Sequence, residues 1–566
     1  MLWRTLIKKH KWNIILFLCL GFLTAFLTGY SADYFQVIID HLDDGILTLQ
    51  EIIFYGALLL FLFVFNYIDE YPSRKLEHGI YLDLKTKALE KISRIDYLAY
   101  QKIGTGALVQ QIETGAAAGR DMFFSFWLQI FGQILPTMLV SFFFVYTINR
   151  TVMLTLLIGY VVVFLVSTVL LKMLYRVKEN TLVNAEKFNH VLVRGFMEMV
   201  VFRVNKRFAN EIQKARNAAE EITSANTKMA LVHEAFFAIF AILMGLVKVA
   251  IIIYAWQSHA LSVGEVVALI ALVENAYTPI AIFNVIYVQY RLNEVAWKKY
   301  KAFLAAPEDP RLTRGNAFAA KNGAISLKGV SFSYGEKQIL QNFSMEILAG
   351  MQVALVGESG AGKSTIIRLL GGLLTAQAGN VFVDGQVLEN VLLSDYYDYV
   401  QYIPQESPIF DGTLRENLAF DEEIEETTLL GALQEMALGP WYARLEEGLD
   451  TRLGERGITL SGGERQRLAL ARLYLQDPQI ILLDEATSAL DNVTEEAVMT
   501  CLLQRFLGKT MVVVAHRLRS VQHLEQIFVL RDGAVVEAGD FTSLIQKHGY
   551  FYTLYEADQR KEARND

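Results

Sequence analysis

Eight consecutive residues, Gly357-Glu358-Ser359-Gly360-Ala361-Gly362-Lys363-Ser364, carry the spacing G-x-x-x-x-G-K-S. That spacing suits a loop that wraps a chain of phosphates. Gly357, Gly360 and Gly362 let the backbone curl so that successive N–H groups aim at phosphate oxygens. Lys363 supplies a positive charge within reach of β- and γ-phosphates, and the Ser364 hydroxyl is a ligand for Mg²⁺. An apolar run, Val353 to Val356, precedes the loop, and a helical run from Thr365 to Leu370 follows it. The context is therefore strand, loop, helix, and the helix N-terminus adds partial positive charge to the cradle that Thr365 completes. The plain alternative, a glycine-rich turn between a buried strand and a helix, does not account for the lysine and serine.

A second constellation supplies what phosphate chemistry needs besides binding. Ile480-Ile481-Leu482-Leu483-Asp484-Glu485 reads as a buried strand that ends in two carboxylates. Asp484 is placed to hold the Mg²⁺ shell, and Glu485 to polarise an attacking water as general base. Shortly upstream, Leu460-Ser461-Gly462-Gly463-Glu464 opens another helix. Its small residues permit close backbone approach, so this is a second anion site at a helix N-terminus. One nucleotide does not need two such sites on one surface; two chains facing each other do.

These elements must be carried by more than one domain in a chain of 566 residues. The composition is 53% hydrophobic and 12% aromatic, with 35 phenylalanines, which suits a membrane protein. The formal net charge of −8 is no reason to invoke nucleic acid. Two cysteines, Cys19 and Cys501, make no disulfide framework. Apolar mass is concentrated before residue 300. Six candidate spans emerge: 13–30, extending towards 39; 52–68; 123–146; 152–171; 236–256; and 263–290. Lys and Arg number four ahead of the first span, eight over 71–122 and eleven over 172–235, whereas the three short opposite loops carry only Arg150. The positive-inside rule then places both termini and both long loops in the cytoplasm. The long loops have helical composition over 76–95 and 179–227, which predicts cytoplasmic extensions of the membrane helices.

The chain resembles the ATP-binding-cassette transporters, and specifically their exporter-type half-transporters. The resemblance rests on the phosphate loop, Leu460 to Glu464 as signature, Asp484-Glu485, and four shorter matches. It implies that Tyr334 stacks on adenine and that Gln405 senses Mg²⁺ and the membrane domain. It further implies that Asp491, in Ser488-Ala489-Leu490-Asp491, lies in the loop crossing a dimer interface, and that His516 is a switch histidine acting with Glu485. The cofactors so implied are ATP and Mg²⁺. A head-to-tail dimer is implied in which Lys363 of one chain and Ser461, Gly462 and Gly463 of the other hold the same ATP. Asp411-Gly412-Thr413 and Gly454-Glu455-Arg456-Gly457 resemble exporter segments. Leu2-Trp3-Arg4 looks like the amphipathic elbow, Asp96 to Gly106 like the first coupling turn, and Met197 to Arg207 loosely like the second.

The expected architecture is thus an all-α six-helix transmembrane domain over 1–304, a linker over 305–322, and an α/β P-loop ATPase domain over 323–566. The expected activity is ATP hydrolysis coupled to export of an amphipathic small molecule, lipid or peptide across the plasma membrane by a dimer, more readily a homodimer. An importer on the same fold, or an ATP-gated channel, stays open as an alternative. Polar residues inside the spans are few. Lys248 lies roughly 12 Å along a helix from Trp256, and Glu274 roughly 18 Å from Ser262. Glu274, Thr278 and Gln289 share one helix side. With Lys248, they are the candidate substrate contacts, since buried charge in a membrane calls for a cavity or a partner.

Overall fold

The computed structural model describes residues 2–163, 165–166, 188, 195, 198–420, 422–454, 460–515 and 517–565. The chain divides into two compact units, Met1–Ser93 with Ile103–Ala306, and Arg94–Lys102 with Pro307–Asp566.

The first unit is helical. It contains α1 (Leu2–Asp43), α2 (Leu49–Ile92), α4 (Thr105–Arg120), α5 (Leu135–Ile148), α6 (Arg150–Val163), α7 (Met199–Val204), α8 (Phe208–Ser258) and α9 (Val263–Leu304), while α3 (Tyr97–Ile103) straddles the boundary between the units. Among the described residues, five helical stretches are long and apolar enough to span a bilayer, and α6 is a shorter sixth. The spans run well past their apolar windows, since the flanking charged stretches are of helical composition, and α2 continues through Pro72. Thr48 and Ser262 start α2 and α9 with capping boxes that use Glu51 and Glu265. Leu2 to Arg4 is no separate elbow: it is continuous with the first span in α1. There Trp3 stacks between Phe123 at 5.1 Å and Trp297 at 4.8 Å, and aromatic packing of this kind favours one unbroken helix. Residues 179–187, 189–194 and 196–197 lie outside the described residues. Of the expected second coupling segment only Met197 falls in that gap, and the rest carries the short helix α7 and the Arg207 cap of α8.

Between α4 and α5 the backbone winds as π-helix over Asp121–Leu128 and Ile130–Ile134. The core of the unit centres on Leu156, Phe236, Leu272, Val273, Ala276 and Tyr277. The Tyr277 hydroxyl donates to the Leu156 carbonyl at 2.8 Å, which satisfies the one polar atom of that ring. Small residues permit the tightest crossings. A Cβ on Gly21 would strike the Gly132 carbonyl oxygen, and one on Gly119 would meet Leu84 at 2.7 Å. Large apolar side chains on α2, such as Leu60, Phe61 and Phe63, stay exposed, as expected of a lipid-facing helix surface.

The second unit is α/β. A four-stranded antiparallel sheet has the order β2 (Lys337–Ile347), β1 (Ile325–Tyr334), β4 (Ala378–Val383), β5 (Gln386–Val387). A six-stranded sheet has the order β10 (Ala534–Gly539), β9 (Gln526–Arg531), β3 (Gln352–Gly357), β8 (Thr510–Val514), β7 (Ile480–Asp484), β6 (Val400–Ile403). Strands β9, β3, β8, β7 and β6 are parallel, and β10 is antiparallel to β9. Strands β3 and β7 are buried almost throughout, which is why they read as unbroken apolar runs rather than alternating ones. Residues read as linker pack into this unit: Phe318 is buried in its core, and Arg311 donates to the Gly372 carbonyl at 2.8 Å. The expected first coupling turn folds here too. Asp96 N–H donates to the Pro307 carbonyl, Asp309 N–H to the Arg94 carbonyl, and Tyr97 and Leu98 pack on the same core.

Candidate active site

The site is built where β3 and β7, separated only by β8, deliver their C-terminal ends. Ligands of open parallel sheets bind at such ends. After β3 the chain turns through Gly357 (φ 150°), Gly360 (φ 90°) and Gly362 (φ 101°). These backbone angles are costly for any side chain. The helix α10 (Lys363–Leu370) starts immediately afterwards. Lys363 is buried, and its Nζ donates to the carbonyls of Gly357 at 2.7 Å and Glu358 at 3.0 Å. Burial draws the ammonium below its ordinary pKa, while the Glu485 and Asp484 carboxylates oppose that shift. Thr365 is buried one residue beyond Ser364.

The Ser364 hydroxyl donates to Asp484 Oδ1 at 2.9 Å, across 120 residues of sequence. The Tyr402 hydroxyl donates to the other oxygen of Asp484 at 3.3 Å. Glu485 follows in a left-handed conformation (φ 52°), a strained choice for a non-glycine residue that occurs preferentially at functional sites. Its Oε2 accepts from Gln405 Nε2 at 2.7 Å. Ser364, Asp484, Glu485, Gln405 and Lys363 are thus brought together.

The signature is positioned by a different device. Ser461 caps the helix Gly462–Tyr474 in a capping box with Glu464. Gly463 lies so near the 487–490 loop that a Cβ would sit 3.1 Å from the Ala489 carbonyl oxygen. Gln466, one turn into this helix, accepts from Ala489 N–H at 2.8 Å and donates to Ser488 Oγ at 3.1 Å. It was not among the expected site residues. Its spacing of four from Gly462 places it on the same helix face, and that was the available signal. No hydrogen bond or ion pair joins Ser461, Gly462 or Gly463 to the phosphate loop among the described residues. Asp491 is exposed and caps the helix Asn492–Arg505. Its carboxyl is held below its ordinary pKa by hydrogen bonding to Thr494. Tyr334 ends β1 with its ring edge-on to Phe332 at 5.0 Å. His516 and residues 455–457 lie outside the described residues.

A family model described as ABC transporter matches residues 340–488, and one described as ABC transporter transmembrane region matches residues 12–278. The chain belongs to the ABC transporter family. This ABC chain is 35% identical over 314 residues to ATP-binding cassette sub-family B member 6 of Xenopus tropicalis, covering 54% of the chain and 36% of that protein. It is 41% identical over 244 residues to an ATP-dependent lipid A-core flippase of Photorhabdus laumondii, covering 41% of each. It is 35% identical over 308 residues to the mitochondrial iron-sulfur clusters transporter ATM1 of Chaetomium globosum, covering 53% of the chain and 51% of that protein. The ABC chain therefore spans about half or less of the length of these relatives. A solved structure of a bacterial Atm1-family ABC exporter with ATP bound superposes with a TM-score of 0.82 at 22% identity, over 97% of this chain and 99% of that one. The fold is that of an exporter-type ABC protein.

The candidate substrate contacts separate within the membrane unit. Lys248 Nζ and Glu274 Oε2 form an ion pair at 2.8 Å between α8 and α9. Thr278 donates to the Glu274 carbonyl at 2.8 Å, and Gln289 donates to Asn293 at 3.3 Å. Lys248, Glu274 and Thr278 are thus linked to one another, whereas Gln289 bonds further along α9.

Proposed function

We propose that the chain is one half of an ATP-driven export pump and acts as a dimer. The observation that carries this reading is the Ser364–Asp484 hydrogen bond beside Glu485 at the mouth of the phosphate loop. A hydroxyl and a carboxylate in contact are hard oxygen donors, the type that Mg²⁺ shares with nucleotide phosphates. Ser364, Asp484 and the Gln405 side chain would hold that ion, which screens charge on the phosphates when bound. Lys363 leaves its two loop carbonyls for the β- and γ-phosphates. Glu485 takes a proton from water as the water oxygen bonds to the γ-phosphorus and the bond to the β-phosphate oxygen breaks. His516 acts with Glu485 as the family resemblance implies, Tyr334 offers its ring to adenine, and the loop N–H groups of Gly357, Gly360, Gly362 and Thr365 orient the phosphates.

The second half of the site comes from a partner. Ser461, Gly462 and Gly463 present a helix N-terminus with no bond to their own phosphate loop, and Asp491 is exposed beside them. A second chain placed head to tail gives each loop an opposing signature. Lys363, Asp484, Glu485, His516 and the signature are all present in one chain, so self-pairing yields two competent sites, and closed two-fold symmetry is the common arrangement. Export is favoured over import because the superposed solved structure is of an exporter. The positive-inside pattern places the ATPase unit in the cytoplasm. Two of the relatives named above are named as a lipid A-core flippase and an iron-sulfur clusters transporter, so they point to no single cargo.

Glu485→Gln tests the reading. ATP hydrolysis by the purified chain is expected to fall about 10²–10⁴-fold with ATP binding retained and a dimer accumulating. Near wild-type hydrolysis would remove Glu485 as the base.

A further inference from the structure

The membrane unit contains a cavity of about 310 Å³ between α1, α2, α9 and the π-helical stretch leading into α5. That volume is at the lower end of small-molecule sites. Nine of its fourteen lining residues are polar, although it is made by helices with an apolar surround. Thr24 comes from α1, Asp69 from α2, Gln129 and Gln133 from the π-helical stretch, and Asn275 and Thr278 from α9. Asp69 lies roughly 30 Å along α2 from its outer end, and Asn275 roughly 18 Å along α9, so the cavity reaches from the middle of the membrane unit to the inner end of the second span.

Three observations point to a ligand. Asp69 Oδ1 and Thr24 Oγ1 are shielded from solvent and have no hydrogen-bond partner among the described residues. Buried polar atoms of native proteins are nearly always paired, so two orphans facing one cavity call for a partner that enters it. Asp69 is the only charged residue of the lining among the described residues, and a carboxylate at the end of an apolar span, turned into a cavity, is costly unless function retains it. Lys248 is paired with Glu274 and is unavailable to Asp69. The third observation is the backbone: π-helix is rare and concentrates at functional sites. Here it carries Gln133, whose side chain hydrogen-bonds the Asp69 carboxylate and leaves its Oδ1 without a partner among the described residues, with Gln129 at the junction of its two segments.

We propose, resting on the reading of this chain as a pump, that the cavity receives a small polar organic cation whose ammonium or guanidinium group pairs with Asp69. The Thr24 hydroxyl and the Gln129, Gln133 and Asn275 amides hydrogen-bond the remainder. A guanidinium group presents N–H donors in a planar fork that matches a carboxylate, and the lone negative charge selects against anions and neutral isosteres.

The test is equilibrium binding to the full chain in lipid nanodiscs, with N-butylguanidinium and its uncharged isostere N-butylurea as probes. The wild type is expected to bind the cation at least tenfold more tightly. Asp69→Asn is expected to abolish that preference by weakening the cation alone, and Thr24→Val to weaken both probes several-fold. Elution volume and thermal transition of each variant report folding. If Asp69→Asn does not fold, Asp69→Ser replaces it, with the same loss of preference for the cation expected. Equal affinity of the wild type for the two probes, or a cation affinity unmoved by the folded variant, overturns the proposal. ATP hydrolysis without charge-selective binding would sink the cavity assignment and leave the pump standing. Charge-selective binding by a chain that hydrolyses no ATP would do the reverse.

Discussion

Gln405 Nε2 donates to Glu485 Oε2 across 2.7 Å, joining the end of the β6 strand to the carboxylate that follows β7. The two residues are 80 positions apart. The bond ties the proposed base to the loop proposed to sense the metal, so a nucleotide that draws Gln405 to its cation also releases Glu485. Gln405→Ala should therefore raise the Mg²⁺ concentration that half-saturates ATP hydrolysis several-fold. A Mg²⁺ titration at fixed ATP reads this directly, and an unchanged midpoint would take Gln405 out of metal binding.

Lys363→Ala removes the only side chain that donates to the Gly357 and Glu358 carbonyls among the described residues. ATP affinity should fall at least tenfold, because a buried ammonium facing phosphate forms charge-assisted bonds that water does not replace. Fluorescent ATP binding in nanodiscs measures it. Equal affinity would contradict the phosphate-loop assignment.

The Cys501 thiol is pushed up to about 12, first by burial and then by donating its hydrogen to Glu435 Oε2 at 3.1 Å. Only the thiolate is nucleophilic, so alkylation at pH 7.5 should run roughly 10³-fold slower than for an ordinary thiol of pKa about 8.5. The rate should climb with pH through the accessible alkaline range. Glu435→Gln should accelerate it by roughly tenfold and no more, since burial, the larger cause, persists. Peptide mapping after iodoacetamide treatment separates Cys501 from Cys19. Rapid labelling of Cys501 at neutral pH in the folded chain would refute the assigned environment.

The Lys248–Glu274 pair, at 2.8 Å within the membrane unit, predicts non-additive substitutions. Lys248→Ala and Glu274→Ala should each lower the thermal transition in detergent, because each leaves one charge without its partner. The double replacement should cost less than the sum of the two, and the charge swap should recover part of the loss. Strict additivity would mean that the two side chains do not interact in solution.

Much of the site could be read from the chain because its parts are local. The spacing of Gly357, Gly360, Gly362, Lys363 and Ser364 encodes a loop shape, since only glycine tolerates those backbone angles without strain. Apolar runs ending in Asp484-Glu485 encode a central strand, and apolar length with Lys and Arg asymmetry encodes the spans. Tertiary structure decided what no spacing records. Ser364 meets Asp484, and Gln405 meets Glu485, only because the sheet orders its strands so that β3, β8, β7 and β6 are neighbours. Gln466 joins the site because its helix packs on the 487–490 loop. In the membrane unit, helical periodicity placed Glu274, Thr278 and Gln289 on one side, but the facing helix was unknown. Packing gave Glu274 to Lys248 and left Asp69, which the sequence reading had passed over at the end of an apolar run, facing a cavity with Thr24 and Gln133. A one-dimensional pattern shows which face of a helix is polar; which polar atoms are paired there and which are orphaned depends on neighbours hundreds of residues away.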